Sequence, residues 1–307
     1  MNYNHLMIFL AVAEEGSVSR GADRLCISQP AVSKQLSVLE AALKARLFDR
    51  LPKGVRLTDA GHLLLGYARR LSALEREAEQ AMGELHGLAR GSLTVGASLT
   101  VGAYLMPELL AEYSRRHPNI TLTLTIANTE TVQQTLRDGG LDLALTEGFA
   151  EDPDLDAAVF AHDELVAIAP PGHPLLEGGP VSAARFLRQP LILREPGSGT
   201  RAVLERALAA LGLTAHPLMS LGSTEAIKRA VAAGAGLAVV SRLALSLELE
   251  TGRLALLPLS DLALPRPLHR LTRRGAYESR AARAFREMLS EGRAAARHEA
   301  PEEREGG

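Results

Sequence analysis

The chain has 307 residues, enough for two or three domains, and its 46% hydrophobic and 23% charged residues are typical of a soluble globular protein. A formal net charge of -2 argues against an indiscriminate nucleic-acid binder, because nonspecific affinity comes from basic groups that replace phosphate counterions. The sequence has neither an apolar run near the roughly 18 residues of a membrane span nor a basic leader, and its one cysteine, Cys26, excludes an internal disulfide. These features predict a cytoplasmic protein with no membrane partner.

The N-terminal region predicts three short helices, of which the last two are joined by a tight turn. An apolar stripe marks a helix from Asn4 to Glu15, and Ser17 is placed to cap the next helix. Ser28 is placed to cap the third, with Pro30 in its first turn, where the missing N–H costs little. Two helices joined in this way place the second one in the major groove of DNA.

One face of the third helix is predicted to be buried, and the other is predicted to contact DNA. The predicted buried residues are Val32, Leu36, Leu39 and Leu43. The predicted DNA-binding residues are Ser28, Gln29, Pro30, Ser33 and Lys34. A glutamine can pair bidentately with adenine and a lysine with guanine, so this face could read base edges.

A basic hairpin is predicted after this helix. Residues 47–58 form two short extended segments around a Pro-Lys-Gly turn, and the hairpin carries Arg50, Lys53 and Arg56. Residues 1–60 contain eight basic and six acidic residues, so the positive charge is local. A narrow A·T-rich minor groove attracts arginine, and we therefore expect these three residues to contact DNA.

A long helix with an apolar seam is predicted after Thr58, which can cap it. The heptad positions a and d are Leu64, Tyr67, Leu71, Leu74, Ala78, Ala81, Leu85 and Leu88. A seam this regular favours a partner helix and therefore a dimer. The alternative is a helix that merely lies on its own domain.

The remainder alternates strands and helices in two similar halves, which implies an α/β fold with a cleft between them. The chain is predicted to cross between the halves near His162 and Pro265. The last residues are charged and poor in apolar side chains, which predicts disorder. The predicted domains are a DNA-binding domain (1–60), a linker helix (61–90), lobe I (91–161 with 267–292), lobe II (162–266) and a disordered tail (293–307).

Several motifs together resemble the LysR-type transcriptional regulators. The residues that carry the resemblance are Phe9, Ala11, Ala22, Leu25, Ser28 to Ser33, Leu39, Glu40, Leu47, Phe48, Arg50 and Leu57 to Gly61. The resemblance covers about residues 1–290 and implies a winged helix-turn-helix, a linker helix and a two-lobed effector domain like periplasmic solute-binding proteins. Residues 194–201 and 222–228 look like the subgroup that controls carbon dioxide fixation and sulfur assimilation genes. Such regulators form dimers and usually tetramers on double-stranded promoter DNA.

Within that architecture, several segments fall where a strand gives way to a helix, so free N–H groups and hydroxyls would face the cleft and suit an anion. The predicted effector-binding residues are Ser98, Thr100, Thr129, Glu147, Glu195, Ser198, Gly199, Thr200, Ser223 and Thr224. Glu147 is unexpected there, because its carboxylate would repel an anion. It either recognises a protonated oxyanion and sets a pH dependence, or forms a salt bridge between the lobes. The resemblance suggests a sulfur oxyanion or a phosphorylated metabolite as the effector.

Two other classes of function compete with a ligand-responsive regulator. One is an effector-independent transcription factor or a solute-binding module, and the other is an enzyme with the two-lobed fold. The sequence has no recognisable Ser-His-Asp elbow, no metal-spaced His or Cys, and no Walker-type loop. It therefore predicts no catalytic residue, no metal and no cofactor.

Overall fold

The structure is a computed structural model that describes residues 2–85 and 91–299, apart from the side chains of residues 85 and 292–299. Contacts divide it into an N-terminal unit, which ends with a long helix, and a C-terminal unit, which begins with the following strand. The N-terminal unit contains α1 (Tyr3–Glu15), α2 (Val18–Arg24), α3 (Gln29–Leu43), β1 (Phe48–Arg50), β2 (Val55–Leu57) and α4 (Asp59–Leu85).

Side-chain caps start three of these helices, as their sequences predict. The Ser17 hydroxyl accepts from the N–H of Arg20 at 3.4 Å, and the Ser28 hydroxyl accepts from that of Ala31 at 3.4 Å. The Thr58 hydroxyl accepts from the N–H of Gly61 at 3.1 Å at the start of α4. Each cap satisfies a donor that has no partner within its own helix.

The core of this unit packs α1, α2 and α3 around buried Phe9, and Val32, Leu36 and Leu39 are buried as predicted. The prediction for Leu43 was wrong, because its side chain is 37% exposed. Leu43 is the last residue of α3, at the end where the chain leaves the three-helix core.

The predicted hairpin is present, with Asp49 opposite Arg56 in the antiparallel pair β1–β2. The N–H of Val55 donates to the carbonyl of Gly16 at 3.0 Å. Gly54 has φ +88°, and a Cβ there would lie 2.4 Å from the same carbonyl. Only glycine suits this position, because both the backbone conformation and the close approach disfavour a side chain.

The C-terminal unit has two lobes. Lobe I contains β3 (Gly91–Ser98), α5 (Leu99–Tyr104), α6 (Met106–Arg116), β4 (Ile120–Ala127), α7 (Thr129–Arg137) and β5 (Leu143–Glu147), and β6 (Leu155–Ala169) leads out of it. Lobe II contains α8 (Ala183–Phe186), β7 (Leu191–Arg194), α9 (Gly199–Ala210), β8 (Met219–Leu221), α10 (Thr224–Ala232), β9 (Leu237–Ser241), α11 (Ser246–Glu250) and β10 (Ala255–Leu256). The chain returns through β11 (Pro265–Arg273) to α12 (Arg280–Glu299), which packs on lobe I.

Strands β6 and β11 join the two lobes. The described strands of this unit follow the order β4-β3-β5-β11-β6-β9-β7-β8, with β10 paired to β6. Strands β3, β4 and β5 are mutually parallel, whereas β11 runs antiparallel to both β5 and β6. Pro267 is paired with His162, near the positions where the sequence predicts the crossings. Because two long strands pass through both lobes, groups on them can contact either one.

Helix α12 extends into the region that the sequence predicts to be the tail. Residues 293–299 of the predicted tail belong to this helix, which ends at Glu299. Residues 300–307 of the predicted tail lie outside the described residues.

Candidate DNA-binding and effector-binding sites

The predicted DNA-binding residues of α3 lie on its open side. Gln29, Pro30 and Lys34 are exposed, whereas Ser33 is half-buried. Gln29 and Ser33 are one helical turn apart, as are Pro30 and Lys34, so the four side chains share one face near the helix N-terminus. Ser28 is exposed, and its hydroxyl accepts the capping hydrogen bond from the N–H of Ala31.

The three basic residues of the hairpin are exposed but not equivalent. Arg56 lies 3.3 Å from the carboxylate of Asp49 across the hairpin, in a surface ion pair that contributes little to stability. Arg50 and Lys53 form no ion pair with the described residues. Glu40 holds the start of the hairpin against α3, because its carboxylate accepts from the N–H of Leu47 at 2.7 Å.

Glu147 lies at the centre of a buried polar group in the C-terminal unit. It is the last residue of β5 and is only 2% exposed. The hydroxyl of Ser98 donates to its carboxylate, and NH1 of Arg266 lies 3.7 Å from the other oxygen. This geometry is that of a salt bridge, which is one of the two interpretations of Glu147 that the sequence leaves open.

Arg266, which is not among the residues predicted from the sequence, is a buried cation. Its Nε donates to the carboxylate of Asp163 at 2.8 Å, and its NH1 donates to the hydroxyl of Thr200 at 3.0 Å. Asp163 also accepts from the hydroxyl of Ser241 at 2.8 Å. The available signal in the sequence is a charged residue two positions after Leu264 and two positions before Leu268, since alternate residues of an extended segment share a face.

Two hydrogen bonds join the lobes beside this group. The N–H of Gly199 donates to the hydroxyl of Thr129 at 3.1 Å, and the N–H of Glu130 donates to the carbonyl of Gly197 at 3.1 Å. A Cβ on Gly199 would lie 2.5 Å from the carbonyl oxygen of Glu147. The contact therefore depends on glycine at position 199.

Two buried hydroxyls in the same region have no partner. The side-chain oxygens of Thr100 and Ser198 make no hydrogen bond within the described part of the chain, although both residues are at most 2% exposed. Burying such a group without a partner costs about 1–3 kcal/mol. Unpaired groups of this kind are typical of a site that is completed by a ligand or by water.

The remaining predicted effector residues surround a second buried arginine, Arg194. Its Nε and NH2 donate to the carboxylate of Glu195, both at 2.8 Å, and its NH1 donates to the hydroxyl of Thr224 at 3.5 Å. Ser223 caps α10 by accepting from the N–H of Ala226. The structure thus divides the predicted set between Arg266 and Arg194.

A third polar cluster bridges the lobes from α5 to α10. The hydroxyl of Tyr104 donates to Glu225 at 2.6 Å, and Lys228 lies 2.6 Å from Glu225 and 2.9 Å from Glu248. Burial and the bond to Glu225 raise the pKa of Tyr104 to about 12. Burial acts to lower the pKa of Lys228, but its bonds to both carboxylates raise it to about 12. Both groups are therefore protonated at neutral pH.

Two other kinds of feature, a metal site and a membrane span, are absent from the described residues. Within residues 2–85 and 91–299, no three His, Cys, Asp or Glu side chains are grouped so that they could hold a metal ion. Over the same residues, no helix has the length and apolar character needed to cross a membrane.

Comparison with known proteins assigns the chain to a family. Residues 3–62 match the bacterial regulatory helix-turn-helix proteins of the lysR family, and residues 86–294 match the LysR substrate binding domain. The RuBisCO operon transcriptional regulator of Allochromatium vinosum is 40% identical over 289 residues, which is 94% of this chain and 95% of that protein.

Two further relatives are informative. The HTH-type transcriptional regulator CysL of Bacillus subtilis (strain 168) is 33% identical over 268 residues, 87% of this chain and 90% of that protein. The CcmR regulatory domain of Synechocystis PCC6803, solved in complex with 2-PG, is 28% identical with a TM-score of 0.62 and covers 66% of this chain and 97% of that one. The helix-turn-helix, the two lobes and these matches agree, and the chain therefore belongs to the LysR family of DNA-binding transcriptional regulators.

Proposed function

We propose that this regulator binds a small anion between lobes I and II and that the anion changes its action at a promoter. The observation that carries the proposal is the pair of buried, unpartnered hydroxyls of Thr100 and Ser198. Each lies near the start of a helix that follows a strand or loop at the lobe interface. The N-terminus of the longer helix, α9, adds free N–H groups, which favour an anion.

The buried charges limit how the anion binds. Arg266 faces two carboxylates, those of Glu147 and Asp163, and Arg194 is held by Glu195 on two of its nitrogens. The positive charge of each arginine is already balanced by these carboxylates. We therefore propose that hydroxyls and backbone N–H groups hold the ligand. This favours an oxyanion with several acceptor oxygens over a ligand that needs a free cation.

Two effector classes fit these donors, a phosphorylated metabolite and a sulfur oxyanion. The CcmR domain was solved with 2-PG, and the Allochromatium relative is named for the RuBisCO operon, which favours the first class and genes of carbon dioxide fixation. The similarity to CysL supports the second class. We place the regulator in the cytoplasm, with its promoter DNA, and assign it no catalytic step.

The hydroxyl variant Ser198→Val tests the effector site. We expect the affinity for inorganic phosphate, the probe for this class, to fall about tenfold, because a hydrogen bond to a charged group contributes about 1.5–3 kcal/mol. Isothermal titration calorimetry on the full chain measures this, with Ser182→Val, in the cap of α8, as a matched hydroxyl control. Equal affinity in wild type and Ser198→Val would contradict the assignment, and an effector-independent regulator would bind no probe of either class.

The linker helix is proposed to pair with that of a second copy. Ala68 and Ala73 of α4 are buried, whereas a stripe of large apolar side chains on the same helix is exposed. The stripe consists of Leu63, Tyr67, Leu71, Leu74 and Met82, exposed by 40–68%. Leu88 and the side chain of Leu85, both in the predicted seam, lie outside the described residues. A coiled-coil pair would cover the stripe, and two such dimers would form the tetramer.

Effector and promoter are proposed to be linked through lobe closure. An anion that binds the closed lobes more tightly shifts the angle between dimers and so the spacing of their DNA-binding domains. A coupling of about 1–3 kcal/mol suffices for a useful change in promoter occupancy or bending. A footprint that does not change on titration with an anion that binds would contradict this mechanism.

The two parts of the DNA-binding unit are expected to respond differently to substitution. Arg56→Ala should weaken binding to all sequences and reduce its salt dependence, because a phosphate or minor-groove contact is lost. Ser33→Ala should instead change the preferred site, because Ser33 lies on the face of α3 that we propose reads base edges.

Gel-shift titrations at several salt concentrations, with the protein's own upstream intergenic DNA, separate these effects. Arg253→Ala, which replaces an exposed arginine of lobe II, is the matched control and should leave both the salt dependence of DNA binding and the preferred site unchanged. If wild type and Arg56→Ala have equal salt slopes, Arg56 does not contact DNA and its ion pair with Asp49 is its whole role.

A further inference from the structure

Two adjoining cavities lie between α12 and strands β6 and β11 of lobe I, away from the lobe interface. The larger, of about 390 Å³, extends to the loop 274–278, and the smaller, of about 140 Å³, extends towards Leu289 and Ser290. Arg270 and Arg286 line both cavities and so stand between them. Together the volumes are those of a site for a small molecule.

Arg270 is the unusual member of this group, because it is half-buried yet makes no hydrogen bond or ion pair with the described residues. It lies on β11 two residues after buried Leu268, which packs with Phe285 of α12, so both side chains face that helix. Burial, and to a smaller extent the charge of Arg286, lower the pKa of Arg270, whereas the charge of Glu278 acts to raise it. A cation held in this way lacks the direct ion pair that usually offsets the cost of burial.

The neighbouring charges do not supply that partner. Glu278 is bound on both oxygens by Arg286, at 2.7 and 3.3 Å, and also lies 3.5 Å from Arg283. Asp156 is paired with Arg274 at 3.0 Å. Both carboxylates are thus engaged by other arginines. A third carboxylate that lines the larger cavity, that of Asp142, accepts from the N–H of Thr94 at 2.7 Å. None of the three forms an ion pair with Arg270 within the described residues, so its guanidinium remains available.

A local irregularity in β6 shapes the smaller cavity. Opposite the consecutive residues Leu268 and His269 of β11, the pairing on β6 skips from Ala161 to Val159 and leaves Phe160 without a partner. Such a bulge redirects side chains, and Phe160 lines this cavity. The larger cavity adds the apolar walls of Leu143, Ala276 and Ala282.

We propose that these cavities form a second ligand site, separate from the lobe interface, that binds a small organic carboxylate with an apolar body through Arg270. A planar carboxylate matches the two-pronged guanidinium, and the apolar walls accommodate an aliphatic or aromatic group. One available cation suits one negative charge, whereas a phosphate would leave a second charge without a partner. The site lies on β11, the strand that also carries Arg266, so its occupancy acts on an element shared by both lobes.

Calorimetric titration of the full-length protein with phenylacetate tests this proposal. We expect saturable binding with one site per chain and an affinity at least about tenfold weaker in Arg270→Gln. Arg270→Lys should lose an intermediate amount of affinity, because lysine keeps the charge but not the two-pronged geometry of the guanidinium. Arg188→Gln, an exposed arginine of lobe II, is the matched control and should bind as wild type does. Ala276→Trp fills the larger cavity without changing any charge and should also abolish binding, which keeps the test decisive if Arg270→Gln fails to fold.

Three outcomes would overturn the proposal. They are no saturable binding to wild type up to about 10 mM phenylacetate, equal affinity in wild type and Arg270→Gln, and an equal loss in Arg188→Gln. The test is independent of the lobe-interface site, because Ser198→Val should keep phenylacetate binding and Arg270→Gln should keep phosphate binding. Failure of one site therefore leaves the other intact.

Discussion

Replacing Arg266 by methionine is expected to lower the free energy of unfolding of the C-terminal unit by about 3–5 kcal/mol, because it leaves buried carboxylates without their counter-charge. Asp163 and Glu147 are both almost completely buried beside this guanidinium, at 1% and 2% side-chain exposure. Urea denaturation of the full chain, followed by fluorescence or circular dichroism, measures the change. Arg253→Met, at an exposed position, should change stability by no more than about 0.5 kcal/mol.

A second substitution distinguishes loss of charge balance from loss of packing. Asp163→Asn removes one of the two carboxylates, so in the Arg266→Met background it should restore part of the lost stability, whereas alone it should destabilise. The two substitutions are then strongly non-additive, as expected for groups in direct contact. If the changes in the free energy of unfolding of the two single variants simply add in the double variant, Arg266 stabilises the protein by packing rather than by charge. The explanation offered for Arg266 is then wrong.

Replacing Gly199 by alanine is expected to force the two lobes apart at their backbone contact. The added Cβ would lie 2.5 Å from the carbonyl oxygen of Glu147 and 2.9 Å from the hydroxyl of Thr129, and the nearest atom is backbone that cannot rotate away. The bond from the Gly199 N–H to Thr129 should break, and hydrogen exchange of that amide should accelerate at least about tenfold. Overpacking of this kind costs about 1–3 kcal/mol.

Gly222 provides a matched control, because a Cβ there meets no atom within 4 Å and its backbone needs no left-handed conformation. Gly222→Ala should leave exchange at Gly199 and the melting temperature unchanged. If lobe closure carries the effector signal, Gly199→Ala should also lose the phosphate-dependent change in the DNA footprint. Unaltered exchange at Gly199 in the alanine variant would show that the lobes absorb the extra carbon without separating.

The DNA-binding unit could be predicted from sequence because its signals are local. Ser17, Ser28 and Thr58 each cap a helix within three residues of themselves, and the spacing of Val32, Leu36 and Leu39 fixes which face of α3 is buried. The prediction was wrong at Leu43. The apolar periodicity of α3 continues to this residue, but the neighbouring helices do not extend far enough to cover it.

The effector unit shows the opposite case, because its polar groups come from distant parts of the chain. Arg266 and its partner Asp163 are 103 residues apart, and neither forms part of a local motif. The sequence suggested that Glu147 needs a counter-charge, but only the pairing of β5, β6 and β11 selects Arg266 among 34 basic residues. Arg270 could not be identified as unpaired in the same way, since that property depends on Glu278 and Asp156 being held by other arginines.

The sequence by itself therefore determined the family, the helix-turn-helix and the positions of the lobe-linking strands, because caps, periodicity and turn residues act over a few positions. The tertiary structure alone decided which charges are balanced and which remain available, because a buried ion pair is defined by the strands that meet and not by spacing along the chain. Glu147 is a buried charge that Arg266 balances, whereas the charge of Arg270 remains available.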